Sequence, residues 1–387
     1  VPQTDIIKFS DLFVALLNNG TVPGSYSNIS FTSIRNTTLG PTLGAIPSSG
    51  PISIGSHFKG RTFEQPTLYT LKDTNGTLNR ITFTTGNPTY NHKHLGATLV
   101  NYRNVYNGCG FESDPSYFNV INGIQLWKVP EDGTYQIEVG GGGGGSNYVG
   151  HNGGAGQMIR GTKTLSKGDM LRIIVGSRGG RFEKTAGGGG ASAVGPALSM
   201  TNAGTASGTA GRWIIAGGGG GGGNSGGHAF SAVNTEAATN TRCGGGPNTS
   251  LGNGGNRTST TNGGCGGGGA GWISDGGGNS NTGIGSSYQG HYNSRALQYS
   301  YAPNGAYSTI FNNPFEDMNQ ISCNGAAGGF GGGGNGGCNG GGAGAGYTGG
   351  RSGGAGGGSY FNTGEMSTRV DSAIARDTDG YVKITRI

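Results

Sequence analysis

Few residues in this chain of 387 have the types and spacing that catalysis requires. Ser225 and Ser352 each stand at the centre of a Gly-x-Ser-x-Gly word, which in hydrolases places a nucleophilic serine between a strand and a helix. Both words lie inside glycine-rich stretches, where such a word is expected by chance. The stretch from Gly156 to Lys163 runs into Gly161-Thr-Lys-Thr164, where a phosphate-binding loop needs Gly-Lys-Thr. No paired carboxylates stand out as candidates for general acid and base catalysis. We therefore predict that the protein is not an enzyme.

The histidines and cysteines offer little for a metal ion. His92 and His94 lie two residues apart and could share one face of a strand, but no third ligand is obvious nearby. A pair of exposed loop histidines is the favoured interpretation, and a metal site on a trimer axis is the alternative. The chain has five cysteines: Cys109, Cys243, Cys265, Cys323 and Cys338. Their odd number, without Cys-x-x-Cys spacing, excludes a zinc ribbon and leaves one or two disulfides open among the last four. We predict neither a metal site nor a cofactor.

The composition excludes several classes of protein. Charged residues make up 11% of the chain, whereas disordered chains typically carry high net charge. The net charge of +6 is spread thinly, without the Lys/Arg block of nucleic-acid-binding arms. No stretch approaches the roughly 18 consecutive apolar residues of a membrane span, and residues 1–20 lack the features of a signal peptide. We expect no nucleic-acid partner and no membrane span.

The elements that must position any functional residue are dominated by glycine. Of the 89 glycines, 75 lie at or after Gly140. They form runs at 140–145, 187–190, 217–223, 266–269, 331–334 and 340–342. Apolar, strand-like words separate the runs, at 135–139, 170–175, 212–215 and 381–387. We interpret the words as strands of a β-scaffold and the runs as extended helices with three residues per turn, of the polyproline II type, that hydrogen-bond laterally. A disordered Gly/Ser/Asn segment is the alternative.

An ordered series of words follows this alternation. It begins with Gly133-Thr-Tyr-Gln-Ile-Glu-Val before the first glycine run and closes with Gly380-Tyr-Val-Lys-Ile-Thr. Between them come Lys167-Gly-Asp-Met-Leu-Arg-Ile-Ile-Val-Gly, Trp213-Ile-Ile-Ala before a glycine run, and Gly-Ala-Gly-Trp272-Ile-Ser-Asp. The series resembles the glycine-rich domain of the ectodomains of anaplastic lymphoma kinase and leukocyte tyrosine kinase. This resemblance covers about residues 124–387 and implies a mainly β fold, a jelly-roll-like β-sandwich with bundled polyglycine II helices. A receptor role does not carry over, because the chain contains no kinase domain.

The first 123 residues predict two further regions. In residues 1–60 a loose word repeats three times, at 7–12, 29–34 and 52–58. It resembles words at the start of many phage and giant-virus fibre and virion proteins, and it implies a small docking and assembly module. Residues 61–123 read as a β-rich connecting region with candidate strands at 67–71, 80–85 and 97–102.

One segment departs from the family pattern. Residues 286–322, between Trp272 and Phe330, are rich in aromatic side chains and almost free of glycine runs. Tyrosine clusters on loops are typical of recognition surfaces, because they combine a large rigid contact area with a polar tip. The candidate binding residues are Tyr288, His291, Tyr292, Tyr299, Tyr301, Tyr307 and Phe311. The alternative is that these aromatic side chains cover the sheet or pack against a neighbouring subunit.

Together these features predict a non-enzymatic viral structural protein, a fibre, adhesin or capsid-surface component at the virion surface. We expect residues 1–60 to bind other virion proteins, the aromatic segment to bind a host glycan or protein receptor, and the chain to form a homo-oligomer. One alternative is a purely structural cement protein. Another is a secreted, extracellular ligand-binding module.

Overall fold

The computed structural model of the protein describes residues 71–86, 96–203, 211–224, 227–239, 247–255, 266–277, 291–292, 297, 307–308, 326–337 and 340–387. The predicted docking module at 1–60 lies outside these residues, and so does the candidate strand at 67–71 except for Leu71. His92 and His94 also lie outside them, as do four of the five cysteines.

The described chain is built mainly from β-strands. In chain order they are Arg80–Phe83 (β1), Phe118–Ile121 (β2), Ile124–Lys128 (β3), Gly133–Gly140 (β4), Ala155–Leu165 (β5), Met170–Ile174 (β6), Ser192–Pro196 (β7), Ile214–Ala216 (β8), His291–Tyr292 (β9), Tyr307–Ser308 (β10), Tyr360–Phe361 (β11), Ser367–Arg376 (β12) and Tyr381–Arg386 (β13). One helix, Leu99–Val105 (α1), lies between β1 and β2.

Two antiparallel sheets contain most of these strands. A five-stranded sheet has the order β1-β13-β4-β5-β12, and a six-stranded sheet has the order β11-β8-β7-β6-β3-β2. β4 and β5 of the first sheet lie against β7 and β8 of the second. The predicted mainly β fold is therefore confirmed, with two sheets as in a β-sandwich.

The burial pattern explains why these words form strands. In β4, Tyr135, Ile137 and Val139 alternate with polar residues and are fully buried. That period of two is expected for a strand with one face on the core. β3 and β6 are instead buried at four of their five positions each, so these strands of the six-stranded sheet are covered on both faces. Its Trp127 packs on Phe83 of the other sheet, with ring centroids 5.8 Å apart, while Leu126 faces a separate apolar cluster.

The strand predicted at 97–102 is wrong, because this stretch begins helix α1. Thr98 caps the helix: its hydroxyl accepts the Asn101 N–H, and the Asn101 side chain accepts the Thr98 N–H. This reciprocal pair is a capping box. Tyr102 and Tyr106 lie four residues apart, so they share one helix face, and both are fully buried. Tertiary packing of that aromatic face outweighs the β-propensity of the local sequence.

The aromatic face of α1 joins the first part of the described chain to the sheets. The Tyr106 hydroxyl donates to Gln125 Oε1 at 2.7 Å and accepts the Thr84 N–H at 2.9 Å. Its ring packs on Phe118 of β2. The domain boundary after residue 123 stays a prediction; in the described part, strands on its two sides are hydrogen-bonded to each other.

Apart from Gly140, which ends β4, the glycine runs lie outside the helix and the strands, and the run at 217–223 forms hydrogen bonds with a period of three. Within the run at 217–223, N–H groups three residues apart donate to the same neighbouring segment, and the groups between them donate to other segments. The donor–acceptor pairs are Gly218 to Ala345 (2.7 Å), Gly221 to Gly342 (2.8 Å), Gly219 to Gly142 (3.0 Å) and Gly222 to Gly145 (3.0 Å). A helix with three residues per turn and only lateral bonds would produce this repeat. The polyglycine II conformation stays a prediction that this pattern supports.

Glycine is required in the runs by close approach of backbones. A Cβ atom placed on Gly144 would overlap the carbonyl group of Gly220, and one on Gly341 would overlap that of Gly221. These neighbours are backbone atoms, which cannot swing away as a side-chain end can. Positions such as these therefore exclude every side chain, including that of alanine.

Candidate recognition surface

The structure describes three of the seven candidate binding residues. His291 and Tyr292 form β9, and Tyr307 begins β10. Tyr288, Tyr299, Tyr301 and Phe311 lie outside the described residues.

The three described candidates come together in a two-stranded antiparallel ribbon. Tyr292 is the cross-strand partner of Tyr307, and His291 is the partner of Ser308. Directly opposed residues in such a pair have Cα atoms about 4.5–5.5 Å apart. Two predicted tyrosines separated by 14 residues of sequence are thus backbone neighbours. The sequence analysis identified these residues but not their pairing, because two-residue strands are too short to show a period.

Leu297 anchors the aromatic segment to the core of the protein. Its side chain is fully buried in a cluster with Trp272 and Tyr347. Its N–H donates to the Gly271 carbonyl at 3.1 Å, and its own carbonyl accepts a hydrogen bond from Arg172. The scaffold therefore holds both backbone groups and the side chain of Leu297. In sequence, Leu297 lies between β9 and β10, the two strands of the ribbon.

Arg172 is the polar centre of this anchor. It lies on β6, opposite Leu126 on β3 and on the sheet face that carries the apolar cluster. Its Nε donates to the Ala203 carbonyl at 2.6 Å, and its guanidinium carbon lies 5.8 Å from the centre of the Trp272 ring. Burial lowers the pKa of Arg172 to about 9, so the group still carries its charge at neutral pH.

Arg212 supports the same cluster, with its guanidinium carbon 6.0 Å from the centre of the Trp272 ring. Its guanidinium carbon lies 4.6 Å from the ring centre of Tyr360 and 4.8 Å from that of Tyr347. It also donates to the Tyr347 hydroxyl at 3.3 Å. Stacking of a buried guanidinium on aromatic rings is a favourable cation–π arrangement. Sequence reasoning missed both arginines, because one polar residue in a strand-like word normally faces water.

The described residues do not bring the candidate catalytic and metal-binding side chains of the sequence together. Within the described residues, no three His, Cys, Asp or Glu side chains lie close enough to bind a metal ion. Ser352 is fully buried in a turn and does not stand between a strand and a helix, as a nucleophile elbow would require. Ser225 lies outside the described residues.

Two further findings bear on classification. A scan against models of known protein families finds no match to this chain. In the part of the chain that the structure describes, no helix has the length and apolar character needed to cross a membrane.

Proposed function

We propose that this protein is a non-enzymatic structural protein of a virus particle and that it attaches the particle to its host through the aromatic segment 286–322. The observation that carries the proposal is the anchoring of Leu297, which fixes one residue of this segment to the buried cluster around Trp272 and Tyr347.

A fixed platform favours recognition for a physical reason. Binding is weakened by the entropy lost when mobile groups become ordered, and a segment held in advance loses less. Tyrosines then add large contact areas at a low further cost in entropy. The pairing of Tyr292 with Tyr307 supports this proposal, since it concentrates two such residues in one place.

The proposal includes partners for two parts of the chain. Residues 1–60 would bind other virion proteins, as their likeness to virion and fibre words implies, and the aromatic segment would bind a host glycan or a host protein. The lateral hydrogen bonds of the glycine runs support a stiff domain that carries the aromatic segment.

A binding assay on the full-length protein tests the attachment role. We expect the double variant Tyr292→Ser/Tyr307→Ser to bind host cells and a glycan array at least about tenfold more weakly, because tyrosines at the centre of an interface are typical hot spots. The matched control is Tyr148→Ser, which removes a tyrosine that is 70% exposed on a different loop. Equal binding by the double variant and the control would contradict the proposal, provided that both melt at the wild-type temperature.

The cement and secreted-module alternatives predict different locations. We expect antibody against residues 286–322 to label intact particles by immunogold electron microscopy. Labelling only of broken particles would favour the cement role, in which the aromatic segment is buried between subunits. Particles that lack the protein would favour the secreted module.

A further inference from the structure

β12 differs from the other strands whose burial is described, because none of its residues is buried. Eight of its ten residues are exposed and the other two are intermediate. The strand lies at one edge of the five-stranded sheet, and within the described chain its only strand partner is β5. The other edge strands of the two large sheets are much shorter, with four residues in β1, four in β2 and two in β11.

An edge strand of this kind lacks two stabilising contributions, pairing on its outer side and burial of its side chains. The side of its backbone that faces away from β5 has no strand partner in the described chain, and such an edge is a template for another strand. It also gains little from burial of side chains: Val370 remains 38% exposed. A strand added along this edge would supply the missing pairing and would bury more side-chain surface.

We propose that β12 pairs in antiparallel fashion with β12 of a second copy of this chain. The regular pairing of β12 with β5 runs from Val370 to Ala373, with register shifts on both sides. A two-fold axis between Asp371 and Ser372 would extend this regular stretch across the dimer. It would place Val370 opposite Ala373 of the second copy, and Asp371 opposite Ser372 of the second copy.

The charges on β12 are compatible with this register. Asp371 would face a serine, and Arg369 would face Ile374 of the second copy, so no like charges oppose each other. Arg369 is in addition held within its own chain by Asp371, at 3.0 Å. A register displaced by two residues, in which Arg369 faces Arg376, would instead place like charges opposite each other, which is unfavourable.

A second copy fits this edge better than an unrelated strand. Two-fold pairing needs only one sequence to be compatible with itself, and two-fold dimers are the commonest assemblies of soluble proteins. Because the regular stretch is only four residues long, the interface is small. Small interfaces are weak, so we expect a dimer that forms as the protein concentration rises. This self-association does not depend on the attachment role.

Sedimentation velocity of the full-length protein over a range of concentrations tests the proposal. We expect wild type to dimerise and Val370→Lys to raise the dissociation constant at least about tenfold, since lysine on an edge strand opposes pairing. The matched control is Val149→Lys, at an exposed valine on a loop between β4 and β5. The control should dimerise as wild type does.

A second variant tests the register. In the proposed pairing, each lysine of Val370→Lys/Ala373→Glu faces a glutamate of the second copy, so the double variant should recover most of the lost affinity. The proposal is overturned if wild type stays monomeric, if Val370→Lys and Val149→Lys behave alike, or if the double variant shows no recovery. Pairing of β12 with a different virion protein would appear as a monomer that binds that protein, and this also overturns the proposal.

Discussion

The two sheets and the glycine runs fill the interior of this protein by opposite means. In the sheets, backbone hydrogen bonds reach neighbours in one plane, and side chains such as Trp127 and Ile137 fill the space between the layers. In the glycine runs, successive N–H groups reach different neighbouring segments, and there are no side chains to fill space. Removing side-chain atoms should therefore destabilise the sheets, whereas adding side-chain atoms should destabilise the glycine runs.

The strands next to the glycine runs help to order them. Glycine loses more backbone entropy on folding than any other residue, and each hydrogen bond contributes only about 0.5–1.5 kcal/mol net. Several runs are bounded by strands: the run at 140–145 continues from β4, and that at 217–223 follows β8. The sheets fix the ends of these runs, which reduces the entropy that each run must lose on its own.

The largest effect should come from removing an aromatic side chain between the sheets. Phe118 is fully buried against Tyr106 and Phe111. We expect Phe118→Ala to lower the free energy of unfolding by about 4 kcal/mol, through lost burial and the cavity left behind. Urea denaturation measures this value. Leu78→Ala, at a residue that is 62% exposed, is the control and should change stability by less than about 0.5 kcal/mol. Similar losses in both variants would contradict the description of the core.

Adding one methyl group to the glycine bundle should have the next largest effect. We expect Gly144→Ala to lower the free energy of unfolding by about 3 kcal/mol, because the new Cβ overlaps the Gly220 backbone. Gly364→Ala is the matched control, since a Cβ atom there meets only the Asn362 side chain at 3.4 Å. If both variants are as stable as wild type in urea, the runs are not closely packed and the disordered alternative gains support.

Acidification should destabilise the sheets before it destabilises the glycine runs. Glu138 on β4 accepts hydrogen bonds from Lys383 at 2.8 Å and Tyr381 at 2.9 Å. Burial alone would raise the pKa of Glu138, but these bonds outweigh it and hold the pKa below its ordinary value. The stability that Glu138 contributes is thus fully present above the unfolded pKa of about 4.3 and is lost as the pH falls through the folded pKa.

We expect Glu138→Gln to be less stable than wild type by about 2 kcal/mol at pH 7 and to lose less stability on acidification. Unfolding free energies measured from pH 7 to pH 3 give both values. Glu365→Gln is the control, because that carboxylate is 43% exposed and its ion pair with Lys163 is worth little. The glycine runs carry no titratable side chain, so amide exchange of β4 should increase in acid before that of the runs. The reverse order would contradict this assignment.

The smallest effect concerns a single thiol. Cys109 is a free, buried cysteine whose N–H donates to the Tyr106 carbonyl. Burial, with a further contribution from the charge of Glu112, raises the pKa of Cys109 to about 11. Only the thiolate is reactive, so we expect iodoacetamide at pH 8 to leave Cys109 unmodified in the folded protein and to modify it in urea. Peptide mass spectrometry distinguishes this cysteine from the other four. Rapid labelling of Cys109 in the folded protein would show that its thiol is accessible to solvent and would contradict its burial.

The sequence was most informative where one physical pattern acts locally. The alternation in Gly133-Thr-Tyr-Gln-Ile-Glu-Val predicts a strand with one buried face, and β4 has that pattern. The closing word at 381–387 likewise predicts β13. The sequence also identified the aromatic segment, but the pairing of Tyr292 with Tyr307 joins residues that are distant in the chain. No local period could indicate it.

By itself, the sequence determined that this is a mainly β protein with glycine runs set between its strands, because hydrophobic alternation and glycine content are properties of neighbouring residues. Tertiary structure alone decided that 97–102 begins a helix, that Arg172 is buried and that β12 lies exposed at a sheet edge. In each case the deciding contact comes from elsewhere in the chain. The helix packs on Phe118, Arg172 donates to the carbonyl of Leu297, and β12 has β5 as its one strand partner in the described chain. Such contacts depend on which segments meet, and no stretch of sequence read alone contains that information.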